Sequence, residues 1–167
     1  MSTPSTVHLP APGSYVVDPA ASSVRFDTRH FFGLGAVQGS FAVTGGRITV
    51  AGDRVEAEGT VDAASIDTGN ASRDRQVRSR TYLHVEEHPE ITLRAAGTLP
   101  GPITGELTAR GGTAPVQLTV AEVTEDGPVL TVRLTTTVDR YAHGIRAMKG
   151  MTGRHLELEL TARATRA

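Results

Sequence analysis

Alternating apolar and polar residues dominate this chain and predict a protein built mainly of β-strands. The clearest two-residue periods run from Leu130 to Val138 and from Leu156 to Ala162. Such a period turns one face of a strand toward a core and the other toward solvent. Together with shorter alternating runs, such as those starting at Ser23 and Val116, these segments predict about eight or nine strands.

Short turns separate the predicted strands, which indicates antiparallel pairing, because parallel strands need long crossovers. Gly45 and Gly46 are predicted to form one turn, and Gly52-Asp53 is predicted to close a hairpin between residues 47–50 and 55–61. A spacing of about 8–12 residues between turns is typical of sandwiches and barrels. A barrel of eight strands is wide enough to hold one small ligand.

Residues 65–93 are the one long segment without simple alternation. Turn-forming residues come first, and the stretch from Ala71 to Leu83 then contains neither glycine nor proline, so one or two helical turns are expected there. Pro89 ends any helix, and a strand resumes at Ile91. The sequence predicts a short helical insertion around residues 71–84 that crosses one end of the sheet and closes what the strands surround.

Composition and charge exclude several classes of protein. With 17 basic and 18 acidic residues, the chain lacks the excess of positive charge that meets nucleic-acid phosphates, so no nucleic-acid partner is expected. The absence of cysteine excludes disulfides and thiolate metal sites. The sequence contains no apolar run long enough for a transmembrane helix, which needs about 18 residues or more.

The first residues of the chain are rich in proline and small polar side chains. They predict a flexible N-terminal arm, residues 1–13, ahead of a single barrel domain formed by residues 14–167. The arm lacks the basic and apolar regions of a secretory signal, which predicts a cytoplasmic location.

Catalytic motifs are weak in this chain. The G-x-S-x-G elbow of serine hydrolases is absent. His30, His143 and Asp74 could converge on a proton-transfer site, but the sequence gives no geometry for it. Arg73, Asp74 and Arg140 stand next to apolar strand ends and are predicted to form a structural ion pair at one end of the barrel. We therefore predict a protein that is not an enzyme.

Residues His84 to His88 match H-x-x-E-H, a pattern of zinc peptidases. That chemistry needs both histidines on one helical turn. Pro89 pushes the preceding His88 out of the helical region, so a solvated loop and no metal site are predicted here.

Several longer motifs resemble those of YceI-like proteins, a lipocalin-like family whose members bind polyisoprenoids and other lipids. The resemblance extends from Tyr15 to about Ala164. It rests on Tyr15, Asp18-Pro19, Ser22-Ser23-Val24, Phe26, Arg29-His30, Gly39-Ser40-Phe41, Ser65-Ile66-Asp67-Thr68-Gly69, Arg73-Asp74, Arg78-Ser79, Tyr82, His88-Pro89, Ile91-Thr92, the run from Gly105 to Leu118, and Arg140 with Gly144.

The resemblance implies an all-β fold: a single extended eight-stranded antiparallel β-barrel, lipocalin-like, with the short helical insertion. It implies that a long apolar chain, such as a polyisoprenoid, an isoprenoid quinone or a fatty-acid-like lipid, is bound inside the barrel for transport or storage, without a cofactor. The lining residues predicted on this basis are Phe26, His30, Phe31, Phe32, Phe41, Tyr82, Leu83, Ile91, Leu93, Leu134, Val138, Ile145 and Met148.

Some positions depart from the family's pattern. Ala21 and Gln76 stand where relatives commonly carry histidine, and His143 replaces an aromatic residue before Gly144. These changes leave the apolar faces intact and alter the contacts expected with a ligand head group. Relatives often pair, so a homodimer is one expected assembly. Two other functions stay open: a small enzyme acting on a hydrophobic substrate, and a stress-response module that docks partners.

Overall fold

The computed structural model describes residues 9–30, 35–99, 101–145 and 154–167, with residues 29, 30, 35 and 36 described by their backbone only. Nine strands and one α-helix make up most of this part of the chain. The strands are β1 (Gly13–Val17), β2 (Ser23–His30), β3 (Gly35–Ala51), β4 (Arg54–Asp67), β5 (Glu90–Thr98), β6 (Ile103–Ala109), β7 (Gly112–Asp126), β8 (Val129–Asp139) and β9 (His155–Arg166), and the helix is α1 (Ala71–Arg78). Short 3₁₀ turns occupy Pro19–Ala21 and Arg140–His143.

The strands form one closed antiparallel barrel. From β2 the sheet continues through β9, β8, β7, β6, β5 and β4, and the pairing of β4 with β3 and of β3 with β2 closes the circle. Neighbouring strands are antiparallel, as expected for strands joined by short connections. The prediction of an eight-stranded antiparallel barrel with one short helix is confirmed.

The first two strands share one position in the barrel wall. β1 pairs with the C-terminal ends of β3 and β9, whereas β2 pairs with the N-terminal halves of the same two strands. A 3₁₀ turn separates β1 from β2, and the Asp18 carboxylate caps it by accepting a hydrogen bond from the Ala20 amide (3.0 Å). Nine strands therefore fill eight positions around the barrel.

The turn predicted at Gly45-Gly46 is wrong, because both glycines lie within β3. The strand is irregular there, since the register of its pairing with β4 shifts between Val43 and Gly45. A Cβ on Gly46 would lie 2.7 Å from the carbonyl oxygen of Glu58, so this glycine permits a close approach of two strands. The hairpin predicted around Gly52 is confirmed, and Gly52 has the left-handed φ of 63° that glycine tolerates.

Three of the largest fully buried side chains lie at the end of the barrel that carries β1. Tyr15, Leu118 and Leu130 are at most 1% exposed and belong to one apolar cluster. The Tyr15 hydroxyl donates a hydrogen bond to the carbonyl oxygen of Ala11 (2.6 Å) and accepts one from the guanidinium of Arg166 (3.1 Å). The polar atom of this buried ring is thus satisfied, as burial of a tyrosine requires.

The opposite end of the barrel is crossed by residues 68–89, the connection between β4 and β5, which we call the strap. Its helix α1 is capped at its N-terminus by the side chain of Asn70. Arg78 fastens the helix to β4, because its guanidinium donates to the carbonyl oxygens of Ala64 (2.9 Å) and Ile66 (3.2 Å). Neither α1 nor any other helix in the described ranges is long and apolar enough to cross a membrane.

Beyond the helix, the strap contributes the apolar side chains that cover this end of the barrel. Tyr82 and Leu83 are buried with Ile145 in a second apolar cluster, and Phe41 and Ile91 pack against it. The insertion therefore closes one end of the barrel, as the sequence predicted.

The strap finishes in a single helix-like turn before Pro89. The His88 amide donates to the carbonyl oxygen of His84 (2.9 Å), a bond across four residues. This isolated turn closes before Pro89, so His84 and His88 come close to each other without sharing a regular helix.

Candidate ligand-binding cavity

An apolar cavity of about 230 Å³ lies inside the barrel, and all nine strands contribute to its wall. Leu99, Ile103 and Leu130 line it at the β1 end. Leu83 and Ile145 line it at the strap end. The cavity therefore extends along the barrel from the packed core to the strap.

Strand alternation builds the cavity wall. In the pairing of β8 with β9, Leu134 stands opposite Leu160 and Thr136 opposite Leu158, so these side chains share the inner face. All four line the cavity. Thr135, which lies between two of them in sequence, faces the other way and lines a polar groove on the outer surface.

Several inward-facing leucines keep part of their surface exposed although the barrel surrounds them. Leu93, Leu107, Leu134, Leu158 and Leu160 are half-buried and pack against the main core cluster. Because the same side chains line the cavity, we assign their remaining exposure to the cavity instead of bulk solvent. Covering such surface with an apolar ligand is favourable by about 25 cal/mol per Å².

A buried cation lines the strap end of the cavity. Arg140 is 5% exposed, and its Nη1 donates to the carbonyl oxygen of Ile145 (2.9 Å). Its guanidinium carbon lies 6.0 Å from the ring centre of Tyr82 and 5.0 Å from that of Tyr141. Aromatic faces attract cations, so the two rings stabilise the buried charge.

A buried imidazole lies beside it in the same 3₁₀ turn. His143 is 4% exposed, lines the cavity, and has its Nδ1 2.9 Å from the carbonyl oxygen of Gly112. Since a carbonyl oxygen only accepts, Nδ1 carries the proton in this bond. The strap end of the cavity therefore carries a guanidinium and an imidazole beside a wall that is mostly apolar.

An ion pair positions the turn that carries these two residues. The Asp139 carboxylate accepts hydrogen bonds from Nε (3.0 Å) and Nη2 (2.9 Å) of Arg154 and from the Tyr141 amide (3.0 Å). Hydrogen bonding from Arg154 lowers the pKa of Asp139 from its usual 3.8 to about 2. Asp139 thus caps the turn and ties it to the start of β9, which fixes Arg140 and His143 at the cavity.

Most of the predicted lining residues that the structure describes do line the cavity. They are Phe41, Leu83, Ile91, Leu93, Leu134, Val138 and Ile145. Phe26 is buried with its ring 5.6 Å from that of Phe41, and Tyr82 packs in the second apolar cluster, so neither is part of the wall. The side chain of His30 and the whole of Phe31, Phe32 and Met148 lie outside the described residues. That these residues bind a ligand stays a prediction.

Other lining residues were missed by sequence reasoning. They include Leu118, Val123, Leu130, Leu158 and Leu160. The alternation of β8 could have identified Leu130, because Leu130 lies on the same face of the strand as the predicted Leu134. Leu160 of β9 pairs with Leu134. The face of β7 that turns inward depends on the closure of the barrel, which the sequence pattern alone does not define.

Arg73 and Asp74 make other contacts than the ion pair predicted for Arg73, Asp74 and Arg140. Nε of Arg73 donates to the hydroxyl of Thr68 (2.9 Å), and the Asp74 carboxylate accepts from the Thr68 amide (2.9 Å). Both side chains hold the start of the strap through Thr68, whereas Arg140 lines the cavity.

Residues 15–164 match the YceI-like domain family. Protein YceI of Escherichia coli O157:H7 is 32% identical over 104 residues, which are 57% of this chain and 53% of the relative. A UPF0312 protein of Staphylococcus aureus strain N315 is 27% identical over 166 residues, 89% of this chain and 95% of the relative. A UPF0312 protein of Ectopseudomonas mendocina is 39% identical over 62 residues, 34% of this chain and 32% of the relative. The chain spans about a third to a half of the length of several curated relatives that it matches.

Solved structures share the barrel. Burkholderia cenocepacia BcnA superposes with a TM-score of 0.75 at 20% identity, covering 89% of this chain and 99% of the other. A polyisoprenoid binding domain from Saccharophagus degradans superposes with a TM-score of 0.73 at 14% identity, covering 94% of this chain and 100% of the other. At these identities the likeness concerns the fold. Because the family match extends from residue 15 to residue 164, this chain belongs to the YceI-like domain family.

Proposed function

We propose that this protein binds one long-chain apolar ligand, such as a polyisoprenoid or an isoprenoid quinone, inside its barrel. The observation that carries the proposal is the apolar cavity, whose wall combines the inner faces of all nine strands. A ligand without directional groups needs such a lined space more than it needs polar contacts. Covering the exposed inner surface of the leucines supplies the binding free energy.

The shape of the cavity supports an elongated ligand. On β8 the lining runs from Leu130 to Val138, which corresponds to roughly 27 Å along an extended strand. An extended apolar chain can follow this direction, with its polar end at Arg140 and His143. The likeness in fold to the polyisoprenoid binding domain from Saccharophagus degradans supports the same class of ligand.

The mostly apolar wall of the cavity supports a carrier or store over an enzyme. Asp74 accepts a hydrogen bond from the Thr68 amide, and Nδ1 of His143 bonds to the Gly112 carbonyl oxygen. Both groups are thus held by bonds that shape the strap end of the barrel. Transport or storage of the ligand follows as the proposed role.

Mass spectrometry with a matched pair of variants tests the proposal. Leu134→Trp fills the cavity with a large side chain, and Thr135→Trp puts the same side chain on the outer face. The chain contains no tryptophan of its own. We expect native spectra of the wild type and of Thr135→Trp to show one apolar adduct that organic solvent releases. Leu134→Trp should lose most of it.

Reloading the solvent-extracted protein completes the test. A long-chain polyprenol and an isoprenoid quinone should bind at one molecule per chain, and palmitate should serve as the straight-chain comparison. The proposal fails if neither isoprenoid binds the refolded wild type, or if Leu134→Trp and Thr135→Trp bind them equally well.

A further inference from the structure

The turn at the end of the strap brings three metal-ligating side chains together. Its backbone closes like one turn of a helix, because the carbonyl oxygen of His84 accepts hydrogen bonds from the amides of Glu87 (3.2 Å) and His88 (2.9 Å). This turn brings the side chains of Glu87 and His88 back beside that of His84. The two histidines and the glutamate of the H-x-x-E-H pattern therefore form one side-chain cluster.

The distances within this cluster suit one small cation. A ring nitrogen of His84, a ring nitrogen of His88 and a carboxylate oxygen of Glu87 all lie within 4.8 Å of one another. The two imidazole rings are 5.7 Å apart between centres and nearly perpendicular, at 79°. Zinc bonds of about 2.0–2.2 Å put tetrahedral ligand atoms roughly 3.4 Å apart, so small side-chain rotations complete the site.

The fold holds the ligands in place before any metal arrives. The His84 amide donates to the carbonyl oxygen of Ser79 (2.9 Å), and His84 has a left-handed φ of 50°, which histidine adopts more readily than most residues. The His88 ring lies against Gly111, where a Cβ would be 2.8 Å from the ring Cε1. Both histidines are half-buried, so their rings have less freedom to lose on binding.

We propose that His84, Glu87 and His88 bind a divalent transition-metal ion of the zinc type. Two imidazoles and one carboxylate are a ligand set that Zn²⁺ uses with water in the fourth position. Imidazole also suits Cu²⁺ and Ni²⁺, whereas Mg²⁺ and Ca²⁺ prefer all-oxygen sites. The site therefore favours transition-metal ions over Mg²⁺ and Ca²⁺. The ion joins three residues next to Leu83, which lines the cavity, and it therefore stabilises the strap.

Metal titration of the full chain without an affinity tag tests the proposal. We expect zinc chloride to bind at one ion per chain by calorimetry, and Co²⁺ to give the absorption bands of a tetrahedral site. Glu87→Gln, His84→Asn and His88→Gln should each weaken zinc binding at least about tenfold, since even changes outside the ligand set cost that much in other sites. Asparagine at position 84 keeps a residue that tolerates a left-handed φ.

Two variants separate this site from general surface binding. Glu86→Gln changes the exposed acidic neighbour, and His155→Ala removes an exposed histidine at the start of β9. Both should bind zinc as the wild type does, and zinc should raise the Tm of both. Glu87 is exposed, so Glu87→Gln leaves the folded core untouched. The proposal is overturned if the wild type binds no zinc ion at this stoichiometry, or if Glu87→Gln binds zinc as tightly as Glu86→Gln.

Discussion

At the scale of single residues, Asp139 connects the outer surface of the barrel with the chemistry of its cavity. Its carboxylate binds the exposed guanidinium of Arg154 and caps the 3₁₀ turn that begins at Arg140. The amide of Arg140 in turn donates to the carbonyl oxygen of Arg154 (3.0 Å). A polar pair on the outside thus holds the buried cation and His143 at the strap end of the cavity.

This arrangement predicts an acid-dependent contribution to stability. The pKa of Asp139 is about 2 in the folded protein against a usual 3.8, so folding favours the ionised carboxylate. The resulting stability is present above about pH 4 and is lost as the pH falls through about 2. Asp139→Asn keeps an oxygen that can cap the turn and loses the charge. We expect it to have a lower Tm than the wild type at pH 7 and the same Tm near pH 2, measured by circular dichroism.

Asp126→Asn is the matched control, because Asp126 is an exposed aspartate at the end of another strand. Its Tm should stay close to that of the wild type at pH 7. A difference in Tm between Asp139→Asn and the wild type that stays the same from pH 7 to pH 2 would contradict the role assigned to the ion pair.

At the scale of elements, the strap shows how far local sequence signals reach. The absence of glycine and proline from Ala71 to Leu83 predicted the helix, which ends at Arg78 in the structure. A helix of eight residues is marginal by itself. Only Asp74 among its residues is buried, and Val77 is the one apolar side chain of the helix that packs against the second cluster, so the helix gains little from apolar packing. Its position instead depends on hydrogen bonds to distant backbone atoms, which no local pattern could have revealed.

Arg78 carries the best-defined of these bonds, and its removal should loosen the strap. Arg78→Ala deletes the two hydrogen bonds to carbonyl oxygens of β4 and should lower the free energy of unfolding by about 1–2 kcal/mol. Hydrogen exchange, read by mass spectrometry, should speed up in strap peptides and stay unchanged in β6 and β7. Arg75→Ala, an exposed position on the same helix, serves as the control. Equal exchange in the two variants would show that Arg78 does not hold the strap.

At the scale of the whole molecule, alternation predicted the strands and the family resemblance predicted the barrel, but the interior depends on long-range register. Gly46 illustrates this dependence. The sequence Gly45-Gly46 is typical of a turn, but both residues lie within β3, where Gly46 passes close to the backbone of Glu58. Likewise, Leu130 and Leu158 carry the same alternating pattern in sequence. Both line the cavity, but Leu130 is 0% exposed at the β1 end and Leu158 is half-buried.

This difference between the two ends predicts an uneven distribution of stability. Leu130→Ala should cost about 2–5 kcal/mol, because it removes a fully buried side chain and enlarges the empty space inside the barrel. Leu158→Ala should cost less in ligand-free protein, since part of that side chain already faces empty space. Saturating polyprenol should stabilise Leu158→Ala less than the wild type, because that variant has lost wall contacts with the ligand. Urea unfolding with and without polyprenol measures these differences in the free energy of unfolding. Equal losses for the two variants in ligand-free protein would mean that the barrel is packed uniformly along its length, and the cavity could not then be the place where the ligand lies.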